Sequence, residues 1–558
     1  MNKNSVIAVV VFVGLFAGTI VDSKAQIGHG GMPYSFKKST ILSQPDVELL
    51  PYLDNKILLS EEVVANSKQE GFTFGKEIAV DYSLDNSGRW DTLPNGGRLW
   101  RLSVQSVGAY SLNLLFDRFY IPLHSSLFIY TEDRTFIMGS FTADNNNQWG
   151  NFATSLFPGD AIVLEYYEDA QDYGKGVIHL NTVVHGYKDF FFKTEKASHG
   201  TAAGKCHIDA NCEEGNKYPN AKRATALILN GGSAYCSGTL LNNTAQDGKP
   251  YFLTAFHCVD TKQNGVLSQQ EIDAAQKWVF VFNYESTECN AKTEKQTYSI
   301  NGATLLASYP HSDFALFLLN SKPTAEFNAY YAGWDMRNIA TTGAFGFHHP
   351  QGDLKKISKD NKLLDSSNYN DNDPSYPKNT HWKPTWDMGS TEGGSSGSAL
   401  FNVLEQVIGQ LEGGTAQCNG SNPEGYDLYG KFSYSWTNNN NPNRNCRLDY
   451  WLDSLKTGIT VLQGYDPYHQ KSNKINDLQE TIAKISFSPN PANDKVRIEA
   501  NAQMLSCKIY AISGQWIKTE TINSWYADVN VKDLSDGIYI VELQTENGTI
   551  YKKLVIQH

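Results

Sequence analysis

The chain has 558 residues, room for two to four domains, and its 41% hydrophobic and 12% aromatic content is that of a globular protein. A formal charge of −12 argues against nucleic acid and anionic membrane surfaces as partners.

The chain opens with MNKNSVIAVVVFVGLFAGTIVDSKAQ. Lys3 sits in a short polar start, an apolar run extends from Val6 to Ile20, and the small residues Ser23 and Ala25 precede Gln26. That is the layout of a secretory signal peptide over residues 1–25, cut after Ala25. The apolar run is short for a membrane anchor, and no later stretch reads as a span. Export would place the mature chain where disulfides persist. The eight cysteines are unevenly spread: residues 26–205 hold none, six fall between Cys206 and Cys418, and Cys446 and Cys507 follow. Residues 26–200 are expected to be a propeptide that folds as a β domain, with runs such as LWRLSVQSV and SSLFIYTE between turns such as LPNGG and FPGD. Residues 201–465 form the central domain and 466–480 a polar linker. Residues 481–558 carry about seven short β runs, which suggest a small β-sandwich.

The central domain holds a candidate nucleophile in TEGGSSGSAL, Thr391 to Leu400. A glycine-rich loop can bring backbone N–H groups to a substrate and present one hydroxyl, but that hydroxyl needs a base and a carboxylate to orient the base. YFLTAFHCVD places His257 at the end of an apolar strand, and SYPHSDFALFLL places Asp313 at the start of another. Each piece alone is commonly structural: a histidine after a strand, a capping aspartate, a flexible loop. Together they stand in the order His257, Asp313, Ser396, with Cys258 touching the histidine, and a bridge from Cys236 would pin the backbone that carries the base.

The segments CHIDANC, LLNNTAQDGKPYFLTAFHC, VFNYESTEC, SDFALFLL, YYAGWD, FGFHHP, GSTEGGSSGSALF, GQLEGG and YDLYGKFSYSW resemble, in order, those of the lysyl endopeptidases, chymotrypsin-fold bacterial serine peptidases that cut after lysine. The resemblance covers nearly all of 201–465. It implies an all-β protein with a chymotrypsin-like double β-barrel and the catalytic set His257, Asp313 and Ser396. It also implies an oxyanion hole from the N–H groups of Gly394 and Ser396, and the disulfides Cys206–Cys418, Cys212–Cys289 and Cys236–Cys258. Cys446 and Cys507 have no family partner and are expected to be thiols. Asp427 in EGYDLYGKF occupies the place of the family's lysine-binding aspartate, since a buried ammonium needs a carboxylate. Glu412 and Gly413 in QLEGG lie on the strand expected to hydrogen-bond the substrate backbone. The best-known member has a histidine at the position of Glu412, and a carboxylate there, if near His257, would raise its pKa.

Some features carry blander readings. His348 and His349 alternate faces on a strand, so no zinc site is expected. Residues 368–375, NYNDNDPS, lack the glycine and distal glutamate of a calcium loop. Ser395 stands where trypsin-like zymogens carry an aspartate for the freed N-terminus, so the fold itself is expected to shape the oxyanion loop. Lys193 and Lys196 offer self-cleavage sites upstream of a mature start near Thr201.

Residues from Ile485 to Gln557, including SFSPNPANDKVRIEA and LSDGIYIVELQTENGTIYKKLVIQ, resemble the sorting domain of type IX secretion cargo. The expectation is a secreted or surface-attached monomeric serine endopeptidase without cofactor. It would act on protein and peptide substrates with lysine before the cut and engage the type IX secretion machinery. The alternatives are a non-catalytic adhesin on a peptidase scaffold, or a serine peptidase that cuts after arginine or glutamate.

Overall fold

Short runs of β-branched and aromatic residues, broken by Gly, Asn and Pro, suit pleated surfaces, and strands dominate the fold accordingly. The computed structural model describes residues 30–37, 42–62, 72–189, 203–291, 293–369, 377–437, 440–468, 485–511, 516–545 and 548–558. The expected signal peptide, Lys193, Lys196, Thr201, most of the expected linker and most of the 368–375 loop lie outside the described residues. The chain divides into two units, Met1–Tyr468 and His469–His558.

The first part of the larger unit is a two-sheet sandwich. One sheet orders Asp46–Leu49, Arg98–Gln105, Ala161–Glu168, Ser126–Thr131 and Ile137–Phe141; the other orders Phe157–Pro158, Ser111–Tyr120, Val177–Gly186 and Gly75–Ser83. Leu102, Ile129 and Leu164 from the first meet Leu114, Phe116 and Leu180 from the second in one core.

Residues 203–468 build two curled sheets. The first orders Tyr298–Asn301, Val279–Phe282, Thr225–Asn230, Ser233–Leu241, Tyr251–Ala255, Phe314–Leu319 and Ala303–Tyr309. Its two end strands are consecutive in the chain, joined through Gly302, so the sheet curls back on itself. The second runs from Lys356–Leu363 through Thr342–His348, Ala399–Asn402, Gln406–Gly414, Asp427–Lys431 and His381–Lys383 to Asp365–Ser367, and its ends meet in the same way through Leu364. Each curl has its own interior: Ile228, Phe252, Phe280 and Phe317 fill the first, Leu400, Ile408, Leu411 and Tyr429 the second. A third core, with Leu253, Phe314 and Leu316 against Phe345, Phe401 and Val407, joins them. This is the two-barrel, all-β arrangement expected from the sequence.

Alternation along the strands explains where the sandwich sits. Ile228 and Phe280 point into the first barrel, while Leu227, Leu229, Val279 and Val281 point out and are buried with Phe74, Leu115, Ala153 and Leu156 of the sandwich. Phe72–Thr73 pairs with Ser233–Ala234 as an added strand, and the N–H groups of Phe74 and Gly75 both donate to Gly232 O at 2.8 and 2.9 Å. The run WVFVF is continuously apolar because both its faces are covered.

The smaller unit orders Ile485–Ser488, Lys495–Ala511, Gly537–Thr545 and Gly548–Ile556, with Trp516–Asn530 on the Lys495–Ala511 strand. The expectation of about seven short strands is corrected here to five among the described residues. KVRIEA and CKIYA are two arms of one 17-residue strand whose register shifts between Glu499 and Met504, so what counts as two short runs by alternation is one strand. A shift of that kind lets one strand bend and serve two parts of a sheet. Cys507 is buried in this unit's core and stands, like Cys446, outside the disulfides.

Candidate active site

His257 stands two residues past the Tyr251–Ala255 strand, after Phe256, and Asp313 immediately precedes Phe314–Leu319, the strand paired with it. The pairing of Ala255 with Phe314 therefore brings two residues 56 apart in sequence into contact. Both Asp313 oxygens are used: Oδ1 accepts the His257 backbone N–H at 2.9 Å and Oδ2 accepts Nδ1–H at 2.8 Å. A carboxylate only accepts, so Nδ1 carries a proton, and in the neutral ring it is Nε2 that has the lone pair. Asp313 is 3% exposed and His257 28%, so the carboxylate is sealed in while the ring edge is accessible. Burial works to lower the His257 pKa, but the charge and hydrogen bond of Asp313, with Asp260 beyond, hold it above its ordinary value.

The Gly393–Gly397 loop comes from the second barrel and is laced to the first. The Cys236–Cys258 disulfide ties the Ser233–Leu241 strand to the residue after His257. Ser237, next to that disulfide, donates its N–H to Ser396 O at 2.8 Å and its hydroxyl to Gly394 O at 2.9 Å. Gly394 and Gly397 have φ of +90° and +79°, and a Cβ on Gly397 would lie 2.1 Å from Thr254 Oγ1 and 2.7 Å from Ala255 N. Glycine is thus required twice, for its backbone angles and for close approach to the strand that leads into His257. The N–H groups of Ser395, Gly397 and Ser398 are spent on Glu392 O, Leu411 O and Ser395 O. Those of Gly394 and Ser396 have no partner among the described residues. The two serines also differ: Ser395 is fully buried and Ser396 partly exposed.

Beside this loop the Gln406–Gly414 strand pairs with Ala399–Asn402 only as far as Gln410, which leaves that edge of Glu412–Gly414 without a strand partner among the described residues. An extended peptide could add there. On the other edge Gly414 faces Asp427, which is 1% exposed. Asp427 Oδ2 accepts from Trp386 Nε1 at 2.6 Å and from Thr391 Oγ1 at 2.7 Å. Burial pushes its carboxyl up to about 6, against the smaller opposing effect of those two bonds. Trp386 and Thr391 were not singled out from the sequence; the only signal was that a buried indole N–H needs an acceptor.

Glu412 has a partner the sequence did not suggest. Its Oε2 lies 2.6 Å from His381 Nε2, and His381 Nδ1 bonds Thr380 Oγ1 at 2.8 Å. Burial, helped by the charge of Asp313, raises the Glu412 carboxyl well above its usual range, while burial and Lys431 depress His381 to about 3. Both shifts favour a neutral acid facing a neutral imidazole, a pair without net charge.

The bridges Cys206–Cys418, Cys212–Cys289 and Cys236–Cys258 are all present. The bonds from Gly204 N–H to both oxygens of Glu392, each 3.2 Å, fasten the start of the segment to residues before Ser396, and Cys206–Cys418 fastens it to a residue beyond that serine. His349 Nδ1 bonds Asp353 O and His348 bonds Ser395 and Ser358, so the adjacent histidines are engaged with protein groups. Two groupings among the described residues come close enough for a metal, Cys236–His257–Cys258 and His207–Glu392–Cys418, but their sulfurs are all in disulfides. No described helix is long and apolar enough to cross a membrane.

Residues 200–430 match the family described as "Lysyl endopeptidase, C-terminal domain", and residues 486–557 match the "Secretion system C-terminal sorting domain". A curated "Lysyl endopeptidase" of Pseudomonas aeruginosa PAO1 is 30% identical over 266 residues, covering 44% of this chain and 52% of its own. The chain thus spans about half the length of that relative. A crystal structure of Rv3671c from M. tuberculosis H37Rv, an alanine mutant in an inactive form, is 14% identical and covers 38% of this chain and 84% of its own; its TM-score of 0.24 is too low to bear on the fold. By sequence, then, the central segment is similar to the C-terminal domain of lysyl endopeptidases, and the tail is similar to secretion-system C-terminal sorting domains.

Proposed function

We propose that the protein is a secreted serine endopeptidase that hydrolyses peptide bonds on the carboxyl side of lysine through an acyl-enzyme. Ser396 Oγ attacks the substrate carbonyl carbon and its proton passes to His257 Nε2. Asp313 holds the ring in the tautomer that frees Nε2 and stabilises the imidazolium without taking its proton. The carbonyl oxygen, now an anion, takes the N–H groups of Gly394 and Ser396, a contribution of about a hundred- to a thousandfold per donor. His257 then protonates the leaving amine as the C–N bond breaks. Water, deprotonated by the same nitrogen, releases the acid and restores Ser396. The substrate backbone lies along Glu412–Gly414, and its lysine ammonium reaches the Asp427 carboxylate. Residues 26–200, which include the N-terminal sandwich, are the proregion, cut from the peptidase segment in the stretch containing Lys193 and Lys196, and residues 466–480 link that segment to the sorting domain.

The observation that carries this reading is the pair of uncommitted N–H groups, one on the partly exposed Ser396 itself and one on Gly394, in a loop held against the strand that leads into a carboxylate-oriented histidine. The test is covalent labelling of the folded, processed protein by a fluorophosphonate, together with mass-spectrometric reading of the bonds it cuts in a denatured proteome. Labelling at Ser396 and cuts after lysine are expected, both lost in Ser396→Ala. A folded wild type that neither labels nor cuts sinks the enzyme; cuts after arginine or glutamate sink the pocket assignment.

A further inference from the structure

The loop that carries Ser396 is braced by a chain of hydrogen bonds whose direction is fixed from end to end. Ser358 Oγ donates its one hydrogen to Ser390 O at 2.6 Å. Ser358 must therefore accept in its 2.9 Å contact with His348 Nε2, which makes Nε2 the protonated nitrogen. His348 is fully buried, and that burial, with His207, His349 and Lys356 nearby, keeps the ring well below its ordinary pKa, so it is neutral. A neutral ring protonated at Nε2 offers a lone pair at Nδ1, and Ser395 Oγ, 2.8 Å away, must donate to it. Ser395 Oγ in turn accepts the Glu392 N–H at 3.2 Å, while Ser395 N–H donates to Glu392 O at 3.0 Å. Every hydrogen in the sequence Glu392 N–H, Ser395 O–H, His348 Nδ1, Nε2–H, Ser358 O–H, Ser390 O is assigned without conflict.

We infer that His348 is a positioning residue for the reaction: by locking the Ser395 hydroxyl it fixes the two peptide planes that meet at Ser395, one of which carries the Ser396 N–H and the other the Gly394 carbonyl, and so aims the Ser396 N–H directly and the Gly394 N–H through the held Gly394. Ser395 lies between those two donors in the chain, and its side chain turns inward to His348 while that of Ser396 reaches the surface. The brace also spans the loop, since its other end is the carbonyl of Ser390, just before the Thr391 that holds Asp427. His349, the next residue, grips the same loop with its backbone: its N–H donates to Ser237 Oγ, which bonds Gly394 O, and its carbonyl would stand 2.8 Å from a Cβ on Gly394. The end of one strand thus holds both faces of the turn. A donor geometry set by internal hydrogen bonds needs no ion pair from a freed N-terminus, which agrees with a serine at position 395. This inference rests on the reading of Ser396 as nucleophile.

Donors aimed at an oxyanion act on the transition state and leave ground-state binding alone, so misaiming them lowers kcat with little change in KM. In the full processed enzyme, His348→Gln and Ser395→Ala should each lower kcat on a lysyl peptide about ten- to a hundredfold with KM within about twofold, since a small misplacement of such groups costs up to about a hundredfold. Affinity for a lysyl peptide boronate, whose tetrahedral adduct uses the same donors, should fall in parallel with kcat. The double variant should be no worse than His348→Gln alone, because both cut one chain. Ser358→Ala, a small change that keeps the ring, should reproduce part of the loss if His348→Gln does not fold. Wild-type kcat and boronate affinity in folded Ser395→Ala and Ser358→Ala would overturn the inference while leaving the peptidase intact. Losses that appear in KM alone, or that multiply in the double variant, would also overturn it. A wild type that does not label at Ser396 overturns the proposed function, and this inference with it.

Discussion

Two buried aspartates of the central segment are each held by two hydrogen bonds, and the donors differ in kind. Asp313 receives the backbone and the ring of His257, a group that can become a cation beside it. Asp427 receives an indole N–H and a hydroxyl, both neutral and both on the same oxygen. Burying a carboxylate is costly unless opposite charge comes with it. At Asp313 that charge is built into the fold. At Asp427 neither hydrogen-bond donor brings it, the carboxyl pushed up to about 6 marks the deficit, and under the proposed function the substrate's ammonium would supply it. The first arrangement suits a residue that must orient a base through every step of a cycle. The second suits a pocket that should be incomplete until an ammonium arrives.

The sharpest way to break the comparison is to neutralise each aspartate in turn. Asp313→Asn reverses the tautomer of His257, since an amide at Oδ2 can donate to Nδ1 and leave Nε2 protonated. The loss in kcat should be about ten-thousandfold, as in other triads of this design, and should be the same for every substrate. Steady-state kinetics on lysyl and non-lysyl esters checks it; a loss confined to lysyl substrates would mean the two aspartates have been assigned the wrong way round. Asp427→Asn should behave oppositely. It leaves a substrate ammonium buried without a partner, a penalty of roughly 3 to 5 kcal/mol, so kcat/KM for lysyl substrates should fall by at least about a hundredfold. Reaction with a fluorophosphonate that carries no lysine should stay close to wild type. Normal cleavage of lysyl amides by this variant would move the pocket carboxylate elsewhere, with Glu424 the next to test.

A smaller effect follows from pH. Asp427 is neutral below about 6 and charged above it, whereas a lysine side chain is charged throughout this range. Binding of a blocked lysine amide as a competitive inhibitor should therefore be constant above about pH 6 and weaken about tenfold per unit below it. The Asp427→Asn variant should show no such slope. An inhibition constant that is flat down to pH 4 would show that the carboxyl stays ionised despite its burial.

How much of this was legible beforehand depended on distance in sequence. His257 and Asp313 each announced themselves at a strand end, and the order with Ser396 supplied the rest. The glycines of the loop were legible as composition; that Gly397 must clear Thr254 was not, because it depends on two barrels meeting. Trp386 and Thr391 lie 41 and 36 residues from Asp427 and reach it only through the register of the second barrel, which no local pattern encodes. His348 was visible but read only for what it would not do, since its role needs Ser358, Ser390 and Ser395 in place at once. The long bent strand of the C-terminal unit looked like two short ones because a bend interrupts the alternation that marks a strand.

Glu412 tests the comparison most finely, because it is a third buried carboxyl close to the first. An ionised Glu412 would add a negative charge near the dyad, hold His257 protonated to higher pH, and so place the acidic limb of kcat/KM higher. Replacing it by glutamine would then shift that limb down. The hydrogen bond to His381 argues for a different outcome. A depressed histidine and a raised carboxyl, 2.6 Å apart, are best satisfied by a protonated Glu412 that donates to Nε2, with Nδ1–H turned to Thr380 Oγ1. Glutamine reproduces that arrangement, since its amide N–H can donate where the acid did. Glu412→Gln should therefore move the limb by less than about 0.3 pH units and change kcat/KM by less than about threefold, because a neutral group has replaced a neutral group. His381→Phe is the informative contrast. It removes the acceptor and leaves a buried acid beside Asp313 with no partner, which should cost stability without creating a new charge at the dyad. A downward shift of a full unit in Glu412→Gln would mean that Glu412 is ionised in the active enzyme, and that the neighbourhood of Asp313 carries a charge the fold has not neutralised.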